Sequence, residues 1–249
     1  VRITGEVVAV AGDHIEIEGY GVLPLADNFK VYKTYGLFAE QKKKDILVGY
    51  ALQEFVVADG EVCAALTTRS FDAKNIRVLL MDTGFKTIFH DRIVLRADGP
   101  LLLSWGDETE TVAEGTVIEI LPDDERLAEG RIVLEPQSVK TGIAAESIER
   151  AQGTPSYYGT LEIRKEPEGL LLINELDIED YLTRVVPSEM PSYYEKEALK
   201  AQAVCARTYA YRQIQANAYS QYGAHVDDST NYQVYNNTET YERTDTTAD

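Results

Sequence analysis

Glu189 is the side chain with the strongest claim to chemistry. It sits in Pro187-Ser188-Glu189-Met190-Pro191, bracketed by two prolines. A residue that precedes proline is pushed out of the helical region. The sequence therefore predicts a helix that stops before Pro187, a short rigid turn carrying Glu189, and a second helix opened by Ser192. If Met190, Tyr193 or Tyr194 shields the carboxyl from water, its proton affinity rises, because desolvation disfavours the charged form. A carboxyl held protonated in this way can donate to a leaving oxygen, the general-acid step in cutting a glycosidic bond. The same residues also allow a plainer reading, an exposed acid in the first turn of the second helix, where negative charge is welcome.

Other polar candidates are weaker. Lys200, Gln202 and Arg207 fall on the second helix, where they could bind a substrate or simply be solvated or paired. His225 with Asp227 and Asp228 has the composition of a metal cluster, but one histidine and two adjacent acids in a turn-rich stretch reads as a solvated turn. His14 and His90 have neither a second histidine nor a cysteine nearby and read as structural or surface residues. No Ser-His-Asp triad can be assigned. There is no GxGxxG, GxxxxGK[ST] or HExxH, so dinucleotide, P-loop and zincin chemistry have no support. Trp105 before Gly106 could mark a sugar-stacking surface, although a lone tryptophan in a strand is more often core. Cys63 and Cys205 are expected to be small buried hydrophobes, not a disulfide.

The elements that must position Glu189 follow from periodicity and turn residues. The stretch from Tyr157 to Arg164 reads as a strand that turns over Glu166-Pro167-Glu168-Gly169 and returns as Leu170 to Asn174. A helix follows from near Asp177, which can cap it. The long helix is expected over roughly Tyr193 to Ala216, with Ala198, Ala201, Cys205 and Thr208 on one face. Upstream, Ile15 and Ile17 alternate after a Gly12-Asp13 turn, and Phe55 to Val57 meets Val62 to Leu66 across Asp59-Gly60. Further strands are expected at Ile76 to Met81, Lys86 to Phe89, Ile93 to Arg96, Leu101 to Trp105 and Val117 to Leu121. Residues 123–153 read as a polar junction with one short strand at Arg131 to Leu134, and Thr238 to Asp249 carry no core signal.

Composition bounds the function. The chain has 249 residues with 24 Lys and Arg against 42 Asp and Glu, a formal charge of −18. That excludes a protein built chiefly to bind phosphate backbones. No apolar run approaches the ~20 residues that span a bilayer. The N-terminus does not read as a signal peptide.

Three motifs in order carry a resemblance: LLLINELDIEDYL at Leu170–Leu182, VVPSEMPSYYEKEALKAQAVCARTYAY at Val185–Tyr211, and DDSTNYQVY at Asp227–Tyr235. Together they resemble the family of stage II sporulation protein D and the amidase enhancer LytB, over about 80 residues; IRVLL at Ile76–Leu80 resembles that family's upstream strands less specifically. The resemblance implies a lytic transglycosylase acting on peptidoglycan, particularly on glycan strands stripped of stem peptides, with Glu189 as the catalytic acid. Ser188, Met190, Lys200, Gln202, Arg207, Gln233 and Tyr235 lie in the matching motifs and are implied to bind or support substrate. Some relatives bind zinc through a cysteine pair where this chain has Asp227 and Tyr232, so neither metal nor cofactor is implied. The family's domain ordinarily continues past QVY, which implies a domain cut short after Asp249.

The expectation is an α+β chain: a small antiparallel β domain at 1–72, a second β-rich domain and junction at 73–150, and a mixed domain at 151–249 with a β-hairpin and a long Ala-rich helix. Its expected partners are glycan strands and a cell wall amidase, its location the cell envelope after export. An alternative of a different class is a non-catalytic wall-binding amidase enhancer or envelope scaffold.

Overall fold

The structure is a computed structural model and describes residues 1–150, 153–191 and 193–236. The expected roles of Ser192 and of Thr238–Asp249 fall outside the described residues. The fold is α+β, and no helix among the described residues is long and apolar enough to cross a membrane. Two compact units emerge, Val1–Lys74 with Tyr211–Val226, and Asn75–Ala210 with Asp227–Asp249.

The first unit contains β1 (Arg2–Thr4), β2 (Val7–Val10), β3 (His14–Ile17), β4 (Gly21–Lys33), β5 (Ala39–Gln41), β6 (Gln53–Ala58) and β7 (Glu61–Thr67). The sheet order is β1-β6-β7-β4-β3-β2, with β5 also on β4. Ile15 and Ile17 point inward and join Val7, Val31, Phe55 and Val62 in the core, as their alternation requires. The β6–β7 hairpin turns at Asp59 and Gly60, with φ of 52° and 83°. Two consecutive positive φ values match the twist of the flanking strands. The expectation of purely antiparallel pairing fails at one place: β4 and β7 run parallel from Lys30↔Ala64 to Lys33↔Thr67. Turn residues specify only hairpins between successive strands, and this pairing is long-range. In the same unit Asn217 donates to the Ile46 carbonyl at 2.7 Å and His225 Nε2 to the Val48 carbonyl at 3.0 Å.

The second unit holds β8 (Asn75–Leu79), β9 (Ile93–Ala97), β10 (Leu101–Trp105), β11 (Glu108–Val112), β12 (Val117–Ile120), β13 (Arg131–Pro136), β14 (Ile143–Ala145), β15 (Ser156–Tyr157), β16 (Thr160–Glu166) and β17 (Gly169–Asp177). Two helices follow, α1 (Ile178–Glu189) and α2 (Lys196–Ala216), and then β18 (Val226–Asp227). The large sheet is ordered β11-β10-β13-β16-β17-β8-β18, and a smaller one β12-β9-β14-β15. Residues 123–153 are thus more than a junction, since β13 lies inside the large sheet. Lys86–Phe89 is not a strand. The Asp82 carboxylate accepts the amides of Lys86 and Thr87 at 2.7 and 3.1 Å, so a local side-chain turn wins over a ladder.

The β16–β17 hairpin is central to this sheet and buried on both faces along Leu170–Ile173. Gly159, at φ of 76°, separates β15 from β16; a Cβ there would come within 2.7 Å of Leu176 Cβ, so only glycine fits. On one face Glu162 of β16 gathers three guanidiniums: Arg77 at 2.8 Å, Arg131 at 2.6 Å and Arg164 at 3.5 Å. Arg77 also pairs with Glu175. Burial alone would raise the Glu162 carboxyl, but Arg77, Arg131 and Arg164 outweigh it and hold the group down at about 2.

A carboxyl whose pKa falls on folding contributes stability above its ordinary value and loses it as pH falls. For Glu162 the window runs from about 4.5 down to about 2, a contribution of about 3 kcal/mol. Glu162→Gln should cost about 3–5 kcal/mol at pH 7, because it strands buried cations, and should flatten the acid limb in that window. Urea unfolding at pH 7 and across pH 2–5 reads both.

Candidate active site

Strand β17 runs straight into α1. Asp177 is the last strand residue and the N-cap, its Oδ1 accepting from Glu179 N at 2.7 Å, as its residue type predicts. Ile178, Tyr181, Leu182, Val185 and Val186 are buried along one stripe, the 3.6-residue pattern of a packed helix. The helix does not stop before Pro187: it includes Pro187 and ends at Glu189. In the last turn proline forfeits only the bond to the Thr183 carbonyl. The turn is closed by Ser188 Oγ donating to the Arg184 carbonyl at 2.6 Å and Met190 N donating to the Val186 carbonyl at 2.9 Å. Glu189 is therefore a last-turn residue of α1, not an acid at the start of α2. There the carbonyl end of the helix disfavours negative charge.

Helix α2 begins at Lys196, three residues later than expected, and its buried stripe in this unit is Leu199, Ala206 and Ala210. The expected face is out by one position, with Ala201, Cys205 and Thr208 exposed. An alanine-rich helix has small apolar residues on almost every side, so periodicity alone does not choose the packed one. Cys205 is consequently an exposed free thiol and Cys63 a half-buried one, not the two buried hydrophobes expected.

Gln202 of α2 donates through Nε2 to Glu189 Oε2 at 2.8 Å. The backbone N–H of Val234 makes a second hydrogen bond to the same carboxyl. Glu189 stays open to solvent on one side, yet partial desolvation raises its proton affinity above the ordinary glutamate value, against the pull of Val234 and Gln202. Tyr193 and Tyr194 do not supply this shielding, being 83% and 47% exposed.

Val234 is held in place by its neighbours. Asp228 is buried and takes Arg150 Nη2 at 2.5 Å and the Met81 amide at 3.0 Å. Arg150 also donates to the Met81 and Asp82 carbonyls. Burial pushes the Asp228 carboxyl up to about 6 even with the guanidinium beside it. Asp227 Oδ1 accepts from Ser229 N and Oγ at 2.9 and 2.6 Å. Tyr235, fully buried, donates to Asn174 Oδ1 at 2.8 Å and packs on Tyr157 and Tyr181. Gln233 accepts from the Tyr181 hydroxyl and donates to the Ala206 carbonyl, both at 3.4 Å. His225, Asp227 and Asp228 are thus buried, not a solvated turn. The Arg150 contact draws Asp228 inward, Asp227 lies in β18, and His225 is held by the Val48 carbonyl. Among the described residues no group of three or more His, Cys, Asp or Glu could hold a metal ion.

Of the residues singled out from the sequence, Gln202 meets Glu189, and Ser188 and Met190 adjoin it in the last turn of α1 and at its cap. Gln233 and Tyr235 are buried supports for the 227–235 segment. Arg207 makes a bidentate pair with Glu179 of α1 at 2.6 and 2.5 Å, and Lys200 pairs with Glu197 at 2.8 Å. Trp105 is half-buried at the end of β10, with Arg126 5.9 Å from its ring. Asn174, Tyr181 and the Val234 amide were not foreseen, and Asp228 was read only as part of a solvated turn. Asn174 had a signal, a polar residue inside the apolar run LLLINEL; it also donates to the carbonyls of Tyr158 and Thr160. A backbone amide has none.

The family model for stage II sporulation protein matches residues 166–249. An uncharacterized protein of Brachyspira hyodysenteriae is 48% identical over 83 residues, covering 33% of this chain and 22% of that protein. Stage II sporulation protein D of Bacillus amyloliquefaciens is 45% identical over 65 residues, 25% of this chain and 19% of the relative. Its namesake in Bacillus subtilis is 33% identical over 106 residues, 39% and 31%. The chain thus spans between 19% and 31% of the length of these relatives. No solved structure matches it. The matched stretch contains Glu189, Gln202 and Val234, and over it this chain is similar to the stage II sporulation protein D family.

Proposed function

We propose that the chain cleaves peptidoglycan glycan strands as a lytic transglycosylase, with Glu189 as its acid. The similarity of residues 166–249 to stage II sporulation protein D supports a sporulation-related role at the cell wall, in the cell envelope. The observation that carries the finer reading is the state of one carboxyl: Glu189 is raised by desolvation, open to solvent on one side, and contacted by two donors.

That arrangement serves both halves of a lytic reaction. In the first, protonated Glu189 gives its proton to the glycosidic oxygen, the bond to the anomeric carbon breaks, and the leaving sugar departs with a free hydroxyl. In the second, the Glu189 carboxylate takes the proton from the 6-hydroxyl of the sugar left behind. That oxygen bonds to the anomeric carbon, a 1,6-anhydro end forms, and the proton is back on Glu189 with no water consumed. One carboxyl suffices, because the intramolecular hydroxyl replaces the water or second carboxylate of a hydrolase. Desolvation favours the form that starts the reaction; Gln202 and Val234 stabilise the form in the middle of it.

Two measurements test this. Denuded glycan strands incubated with the chain should yield fragments ending in 1,6-anhydro sugars by mass spectrometry, and Glu189→Gln should lower their rate at least about 100-fold, the usual weight of a general acid. Strands bound but left intact, with an amidase stimulated by the protein, would instead support the enhancer reading. Gln202→Ala should change stability by less than about 0.5 kcal/mol and move the Glu189 titration upward, since it removes a donor to the charged form. Carboxyl-carbon NMR reads that shift, and a downward movement contradicts it.

A further inference from the structure

The first unit presents an apolar tip for which glycan cleavage has no use. The β4–β5 hairpin ends in Thr34-Tyr35-Gly36-Leu37-Phe38, and the adjacent Leu37 and Phe38 are 84% and 71% exposed. Large apolar side chains set side by side in water are unfavourable and mark a contact surface. The fold holds them there. Thr34 donates its amide and its hydroxyl to the Thr67 carbonyl of β7 at 2.9 and 3.0 Å, and Tyr32 stacks on Phe38 with ring centroids 5.5 Å apart. Gly36 turns the apex at a φ of 60°, and among the described residues nothing beyond its chain neighbours lies within 4 Å of where a Cβ would stand. The apex is therefore a fixed protrusion into solvent.

Positive charge gathers along the same hairpin. Residues 30–44 hold five lysines and one acid, Glu40, in a chain whose formal charge is −18. Lys30 is paired with Glu40 at 2.7 Å, and Lys43 is turned onto the Ala11 and Gly12 carbonyls. Lys33 stands at the foot of the tip, 5.2 Å from the centroid of the Tyr35 ring. The register sets Val31 against Gln41 and leaves Lys42 exposed one residue further down, about 13 Å from Phe38 at 3.3 Å per residue. An apolar point, then tyrosine rings, then lysines is the order of a bilayer interface read outward: acyl chains, the headgroup level where tyrosine settles, and anionic phosphates. A protein partner fits less well, because a stable interface takes about 800 Å² from each side, and Leu37 and Phe38 are two side chains on a convex tip.

We propose that this tip docks on an anionic lipid surface. Leu37 and Phe38 enter the acyl boundary, Tyr32 and Tyr35 lie at the headgroups, and Lys33 and Lys42 face the phosphates. The contact is peripheral and reversible, since two apolar side chains and two lysines fall far short of the anchoring given by a spanning helix. It stands apart from the reading of Glu189, and neither depends on the other.

Flotation of the whole chain with lipid vesicles is the test, using phosphatidylcholine alone and an equimolar mixture of phosphatidylcholine with phosphatidylglycerol. The chain should float with the anionic vesicles and at least about tenfold less with the neutral ones. Leu37→Ser/Phe38→Ser should lower the partition by about tenfold or more, and Lys33→Gln or Lys42→Gln by about fivefold each, the weight of one lysine near an anionic surface. All of these side chains lie outside the core, and unchanged circular dichroism would confirm that the variants are folded. No flotation with either lipid, equal flotation with neutral vesicles, or equal flotation by the tip or lysine variants would each overturn the docking. So would a sedimentation mass of two chains that falls to one in Leu37→Ser/Phe38→Ser, which would assign the tip to a second copy.

Discussion

A backbone amide can reach the carboxyl at the end of α1 only if the segment after β18 is fastened down, and the buried Arg150–Asp228 pair fastens it. Asp228 joins two parts of the second unit, taking the Met81 amide just beyond β8 and the Arg150 guanidinium ahead of β15. From there Ser229 closes a turn on Asp227, Tyr235 drops onto Asn174, and Val234 is left facing Glu189. A buried ion pair is a poor source of net stability, because desolvation cancels most of the attraction. Its value is geometric: both Nη groups of Arg150 have specified partners, and a shifted register would leave a buried charge unpaired.

The same balance recurs at Glu189 in milder form. Burial and the carbonyl end of α1 push toward the protonated carboxyl; the Gln202 amide and the Val234 amide pull toward the charged one. Pro187 contributes by position. One turn from the end of α1 it costs a single backbone bond, and with Pro191 beyond the cap it stiffens both flanks of the glutamate.

Charge in this acidic chain is spent largely on architecture. Arg77, Arg131 and Arg164 converge on Glu162, Arg150 serves Asp228, and Arg207 links the two helices through Glu179. The sheet can therefore carry ionised groups on a buried face, since each is met by an opposite charge or a hydrogen bond.

Local chemistry was legible in the sequence. Asp59-Gly60 made its turn because only such a pair tolerates two positive φ values, Asp177 capped α1 because its carboxylate reaches an orphan amide, and the LLLINEL and PSEMP motifs pointed to the hairpin and to Glu189. Features set by partners distant along the chain were not. The parallel β4–β7 pair, the interior place of β13 and the packed face of α2 depend on contacts that no nearest-neighbour pattern encodes. The same holds for Pro187, whose neighbours in sequence argued for a break that the surrounding turn did not need. The burial of Asp228 was illegible for a related reason: a polar residue reads as solvated unless the cation that meets it is seen, and Arg150 stands 78 residues before Asp228; His225 likewise meets the Val48 carbonyl, 177 residues away. The sequence by itself determined which carboxyl stands between two prolines; only the tertiary structure decided that Gln202 and Val234 would meet it, because hydrogen-bond partners are chosen by distance in space.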